Sequence, residues 1–220
     1  MSAYLRAESL DFEMMTLRAG QLVSWEDHSD ETEIKDRLRK LITVYEGPAN
    51  DRGKPKGREN PMSSGWYDKL LKDDPDRLER IKKSAEHWFK ITAQTPANDN
   101  AWTAYSKVRK TLKGARYAKG WIPNNAKATN DYRHKKSLAY LCNLFHNPMI
   151  KGYFEDRGIA VYEELHALSE MIQWIWRSQI RDDLPIKVFI PSERMRSLFI
   201  KWLNTASVQE LIELDQKLAA

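Results

Sequence analysis

Gln-Trp-Ile-Trp-Arg-Ser-Gln-Ile-Arg-Asp-Asp-Leu-Pro-Ile-Lys-Val-Phe-Ile-Pro, residues 173–191, holds the end of one regular element and the whole of the next. Upstream of it and within it, Val161, Leu165, Leu168, Ile172, Ile175 or Trp176, and Ile180 recur in steps of three and four. That spacing predicts a helix over 161–181 with one buried face. Pro185 to Pro191 reads as a clean inner strand, because its β-branched and aromatic residues lie between two prolines. Ser192 then caps a further helix that turns Met195, Leu198, Phe199, Trp202 and Leu203 inward. Strand segments alternating with helices argue for α/β with a largely parallel sheet flanked by helices.

Working outward, the same logic organises the rest of the chain. Ser207-Val-Gln-Glu210 is a capping box opening a last helix with Leu211, Leu214 and Leu218. Leu138 to Phe145 is a buried strand or a buried helix, and its pattern does not decide which. Asp74-Pro75 is an N-cap with proline at the first helical position. From there Leu78, Ile81, Ala85, Trp88 and Phe89 keep helical spacing to about Gln94. A second helix is expected to carry Trp102, Tyr105, Val108 and Leu112. Residues 1–46 read as an acidic, mostly helical segment that ends in a strand containing Ile42, Val44 and Tyr45. Residues 47–65, with three prolines and four glycines, form a basic loop without a regular element. Its Arg52, Lys54, Lys56 and Arg58 suit either a mobile arm on a phosphate backbone or a solvated linker. The α/β domain is then expected over 66–220.

Composition narrows the function classes. The 220 residues, 41% of them hydrophobic, suffice for one sizeable core. Residues 1–35 carry eight acids and three bases, so the remainder holds a net +10 of the total +5. A basic body points to a polyanion partner, most often nucleic acid. Cys142 is the only cysteine, which excludes a disulfide framework and a multi-cysteine zinc site and fits a reducing cytosol. His28 beside Asp27, Asp30 and Glu31 is a lone histidine in an acidic loop, so no metal is expected there. No run of 18 apolar residues and no apolar signal core occurs, so a cytoplasmic protein without a membrane span is expected.

The strongest electrostatic signal lies in 105–136, where ten bases face Asp131 alone, a net +9 in 32 residues. Solvated helix faces usually mix both signs, so Lys107, Arg109, Lys110, Lys113, Arg116, Lys119, Lys127 and Arg133 are candidates for phosphate contacts. Within this stretch Gly120 to Lys127 reads as extended and ends in Asn124-Asn125. Ala128-Thr129-Asn130-Asp131 follows as a turn or helix start fit to contact phosphate or ribose. Gln173, Arg177 and Arg181, four apart, form one ladder if the helix runs through them. A rigid arginine pair suits phosphate because the guanidinium binds oxygens in a fork. A solvated helix face beside two core tryptophans is the plainer reading. No Gly-x-x-x-x-Gly-Lys-[Ser/Thr] loop, acidic metal box, nucleophile elbow or carboxylate cluster of a nuclease is found.

Four stretches carry a family resemblance. They are Glu59-Asn-Pro-Met-Ser-Ser-Gly-Trp-Tyr67, Asn125-Ala-Lys-Ala-Thr-Asn-Asp-Tyr132, Ala167 to Arg181, and Ile190-Pro-Ser-Glu-Arg-Met-Arg196. Over about 45–203 the chain resembles the C-terminal, second RecA-like half of superfamily 2 (DEAD/DEAH-like) helicases carried by bacterial mobile elements and phages. The resemblance implies a helicase-like domain with Gln173 for positioning and Arg177 and Arg181 as arginine fingers. It puts Asn125, Thr129 and Asn130 where nucleic acid meets the ATP cleft. The first RecA-like domain is missing, so the chain alone is expected neither to hydrolyse ATP nor to unwind DNA. It would complete or regulate an ATPase motor in trans, with DNA favoured as the nucleic acid, no cofactor of its own, and ATP and Mg only at the interface with a partner. The alternative is a non-catalytic nucleic-acid-binding or inhibitory interaction protein of phage or mobile-element origin.

Overall fold

A computed structural model describes residues 13, 15–18, 21–24, 31–126, 131–159, 161–207 and 210–211. An antiparallel hairpin of β1 (Met15–Arg18) and β2 (Gln21–Ser24) comes first. It stands where a mostly helical segment is expected, and Met15–Arg18 pairs along its whole length with Gln21–Ser24. The α/β unit follows: α1 (Thr32–Leu41), β3 (Ile42–Val44), α2 (Ser64–Asp73), α3 (Pro75–His87), β4 (Asn100–Thr103), α4 (Arg109–Leu112), β5 (Ser137–Tyr140), α5 (Pro148–Glu155), α6 (Glu163–Ile175), β6 (Ile186–Phe189) and α7 (Glu193–Asn204).

The four later strands form one sheet in the order β3-β6-β5-β4, with every pair parallel. Register sets Ile42 beside Ile186, Leu138 beside Val188 and Ala101 beside Leu138. Side chains alternate between the two faces, as strand geometry requires. Leu138, Tyr140, Ile186 and Val188 join Met171, Trp174, Ile175 and Phe199 on one face. Ala139, Leu141, Phe189 and Trp102 join Trp66, Tyr67, Leu78, Ile81 and Trp88 on the other. A sheet covered on both faces reads as continuous hydrophobic sequence, which is why Leu138 to Phe145 looked equally like strand and helix.

Three further expectations change. Trp102 lies on the fully buried strand β4 and not on a helix, because Asn100–Thr103 pairs along its whole length with β5. The β3 strand inserts beside β6, so the α/β unit begins before the basic loop and not at residue 66. Nor is that loop an arm. Pro48–Gly53 forms a 3-10 helix, Asn50 is 3% exposed and its amide donates to the Tyr45 carbonyl at 2.9 Å. Gly53 packs so tightly that a Cβ there would lie 2.1 Å from the Pro191 carbonyl oxygen.

Candidate functional site

The chain leaves β3 toward α2 and α3, which cover one face, and leaves β6 into α7, which covers the other. Neighbouring strands whose connections diverge to opposite faces open a crevice at their carboxyl ends, where ligands of open α/β sheets bind. Such a cleft, about 340 Å³, lies there. Gly53, Pro55 and Glu59 to Pro61 line it from the loop after β3, Asn143 from the end of β5, and Ser192, Glu193, Arg194 and Ser197 from the start of α7.

Asn143 is the keystone of its floor. Its backbone N–H donates to the Met62 carbonyl at 2.8 Å, its side-chain amide donates to the Pro61 carbonyl at 3.0 Å, and its Oδ1 accepts from Arg194 at 2.8 Å. The Tyr105 hydroxyl donates to its carbonyl at 2.9 Å. Met62, fully buried, is held at φ 64°, a left-handed conformation that costs energy in a residue bearing a side chain. The two Asn143 bonds pin the carbonyls on either side of that bend. Arg194 also donates to the Leu144 carbonyl at 2.6 Å and from Nε to Glu164 at 3.1 Å, and it lies 4.3 Å from the Phe145 ring. Its Nη2 approaches Glu164 Oε2 to 3.0 Å, yet neither atom has a directed hydrogen bond. Opposite them Glu59 accepts from Arg77 at 3.2 Å and from the Trp66 indole at 3.3 Å. Burial opposes its ionisation, but these two donors outweigh it and hold the carboxyl below its usual range. Apart from Glu59-Asn-Pro and Ile190 to Arg196, quoted for the family resemblance, no signal marked this cleft. Asn143 sits in an apolar run that hides it.

The residues expected to carry an arginine ladder separate in the structure. Helix α6 ends at Ile175, so Gln173 is exposed on its last turn while Arg177 lies in the turn beyond. Arg177 is 9% exposed and its Nη1 donates to the Gln173 carbonyl at 2.7 Å. Its Nε is buried without a hydrogen-bond partner, and burial first, then Arg181, lowers its affinity for its proton. Arg181 is exposed in a 3-10 turn, Gln179–Asp182. The Gln179 N–H donates to the Lys135 carbonyl just before β5, so this turn lies at the amino ends of the strands, opposite the cleft.

The basic stretch divides in two. Lys107 pairs with Asp68 at 2.7 Å, Lys136 pairs with Asp99 at 2.7 Å, and Arg133 pairs with Asp182. Lys135 is buried, and burial lowers its pKa. Lys110, Lys113, Arg116 and Lys119, exposed on α4 and the loop after it, form no ion pair among the described residues. Arg109 beside them lies 3.9 Å over the ring of Trp121, which bridges to Trp102 at the outer edge of β4. Asn125 is exposed at the following turn; Lys127, Thr129 and Asn130 lie outside the described residues, as does the His28 loop. The described residues contain no group of three metal-ligating side chains and no helix long and apolar enough to cross a membrane.

A family model described as the YonV C-terminal Rossmann-like domain matches residues 36–203. The chain is 40% identical over 170 residues to the SPbeta prophage-derived uncharacterized protein YonV of Bacillus subtilis (strain 168). That match covers 77% of this chain and 40% of that protein, so the chain spans well under half of its relative's length. No solved structure matches.

Proposed function

From the premise that the chain belongs to the YonV C-terminal Rossmann-like domain family, we propose that its α/β unit is a nucleic-acid-binding domain, with DNA the favoured partner. One observation carries this reading: the ridge of Lys110, Lys113, Arg116 and Lys119 is exposed and forms no ion pair among the described residues, whereas Lys107 before it and Arg133 and Lys136 after it are paired with acids. Arg109 over Trp121 adds a cation–aromatic platform beside the ridge, the pairing that single strands use for stacking. Three of the four ridge residues are lysines, point charges without a fork, which favours backbone contacts over sequence readout.

The role of completing an ATPase motor in trans, with ATP and Mg at an interface, gains no support from the geometry. Arg177 is committed to the Gln173 carbonyl, and both arginines sit at the sheet edge opposite the cleft. The proposal is therefore the binding module.

Fluorescence anisotropy with labelled single-stranded and duplex DNA tests it. If about five phosphates are neutralised, log K falls against log salt with a slope of about −4 to −5 on duplex. Reversing Lys110, Lys113 and Arg116 to Glu removes most of the affinity with the circular dichroism spectrum unchanged. Salt-insensitive binding, or full affinity in the triple variant, overturns the assignment.

A further inference from the structure

We propose that the DNA this domain selects is single-stranded, and that one unpaired base stacks on the Arg109 guanidinium, on the side turned away from Trp121. The inference rests on the nucleic-acid reading and goes a step beyond it, from a basic surface to the form of DNA that the surface prefers. Among the described residues several cations lie over aromatic rings, and all but one are fixtures of the fold. Arg77 lies 4.7 Å from the centre of the Trp66 ring and donates to Glu59. Lys35 lies 4.2 Å from that of Trp202 and donates to the Trp202 carbonyl. Arg157, 3.8 Å from that of Tyr153, donates to the Tyr153 carbonyl, and Arg194, beside Phe145, donates to Asn143, Leu144 and Glu164. Arg109 differs. Its guanidinium carbon lies 3.9 Å from the centre of the Trp121 ring, the residue is exposed, and it makes no hydrogen bond or ion pair among the described residues. Its plane and its donors are both left to a ligand.

The ring beneath it is held by backbone. Trp121 bridges to Trp102 at the outer edge of β4, and the Ile122 N–H donates to the Trp102 carbonyl at 2.9 Å. Gly120 before it packs so closely that a Cβ there would lie 2.1 Å from the Asn100 carbonyl oxygen. A cation already seated on a fixed ring loses little freedom on meeting a base, and every base has a π-face, so the contact is tolerant of sequence. In a duplex both faces of each base are covered by its neighbours, and the platform has nothing to stack on. The ridge completes the match. Lys110 is next to Arg109 and Lys113 is four residues on, so a phosphate on either lysine and a base on the arginine are within a helical turn of each other. An acidic protein surface would use the cations and leave the platform idle.

Fluorescence anisotropy of the full chain with labelled oligo-dT, with an abasic strand of the same length and with duplex DNA tests the inference. The abasic strand keeps the phosphates and lacks only the bases. Oligo-dT is expected to bind about tenfold tighter than the abasic strand, as one stacked base would give. Arg109→Lys keeps the charge and loses the plane. It should therefore bring oligo-dT down to the abasic affinity while the abasic strand and the duplex stay where they were. Arg109→Ala, at an exposed position that leaves the core untouched, should weaken oligo-dT at least as much and cost the abasic strand no more than one phosphate contact. Equal affinity of the wild-type chain for oligo-dT and the abasic strand, with both lost when Lys110, Lys113 and Arg116 become Glu, overturns the stacking inference and leaves the nucleic-acid reading standing. So does an Arg109→Lys chain that keeps the wild-type margin for oligo-dT. Absence of binding to all three overturns the reading itself, and the inference with it.

Discussion

Arg177 shows how one residue can invert a functional expectation. Its spacing from Gln173 and Arg181 fits a helix face, but a helix must continue for four-residue spacing to become a ladder. It stops at Ile175, and Arg177 turns back to satisfy the Gln173 carbonyl at the open end of α6. Such a carbonyl is one of the orphan acceptors of a helix C-terminus, and a cation there is favoured by both hydrogen bonding and the helix dipole. Replacing Arg177 with Ala should therefore lower stability by about 1.5–3 kcal/mol, the range for a charged hydrogen bond lost from a buried site. Arg181→Ala, at an exposed position, should stay within about 0.5 kcal/mol. Urea unfolding of the two variants decides it, and equal effects would return Arg177 to the surface. Asn143 belongs to the same scale. Asn143→Leu removes two side-chain bonds and strands the Pro61 carbonyl and part of Arg194, so a loss of about 2–4 kcal/mol is expected, with the near-ultraviolet signal of the neighbouring aromatics changed. Caps were readable because they are local: Ser192 accepts from the Met195 N–H at 3.4 Å and Asp74 from the Arg77 N–H at 3.0 Å, as their positions before helices demand. The burial of Arg177 and the four bonds of Asn143 were not readable, since their partners come from tertiary packing.

At the scale of elements, periodicity succeeded where one face is wet and failed where both are dry. Pro185 to Pro191 announced β6 because prolines bound it, and Asp74 to Gln94 announced α3 with the π-helical turn Trp88–Ala93 that follows it. Strand β4 was misread as helix because Asn100–Thr103 is buried throughout and too short to show alternation. The loop after β3 was misread for a different reason. Its glycines and prolines look like solvated punctuation, but Gly53 is there because backbone must touch backbone at Pro191. Its substitution is diagnostic. In Gly53→Ala the new methyl meets a carbonyl that cannot swing aside, so about 1–3 kcal/mol of stability should be lost as in other overpacked sites. Trypsin should then cut faster at Lys56 and Arg58, because the 3-10 segment is levered off α7. Unchanged cleavage would mean that the segment was never held by that contact. Glycine at 57, where φ is +65° and nothing lies nearby, should tolerate Ala sterically and pay only the backbone cost.

At the scale of the whole molecule, four phenols lie in the interior, and that arrangement governs its response to alkali. The α/β class with a parallel sheet was legible from alternating elements, whereas the strand order β3-β6-β5-β4, and with it the site of the crevice, depends on pairings that no local pattern encodes. One consequence of the buried centre can be worked through in sign. Tyr67, Tyr105, Tyr117 and Tyr140 all have phenol pKa values raised, chiefly by burial, and burial likewise pushes the Cys142 thiol up. In the unfolded chain these groups ionise near their ordinary values, about 8.5 for cysteine and about 10 for tyrosine. Above those values the native state holds more protons than the unfolded state, so stability is complete below them and falls as pH rises. Lys35 and Lys135 act the other way, because burial lowers both, but their contribution ends near the ordinary lysine value of about 10.4. Each unopposed group costs about 1.4 kcal/mol per pH unit, so four phenols together remove several kcal/mol within one unit above pH ~10.4. Against a total stability of about 5–15 kcal/mol, the domain should unfold cooperatively before its buried phenols titrate in place. Tyrosinate absorbance and far-ultraviolet circular dichroism recorded through the same alkaline titration should therefore change together. Tyrosinate appearing for all nine tyrosines while the helical signal persists would show that the four phenols are open to solvent, and would break the burial argument on which both faces of the sheet rest.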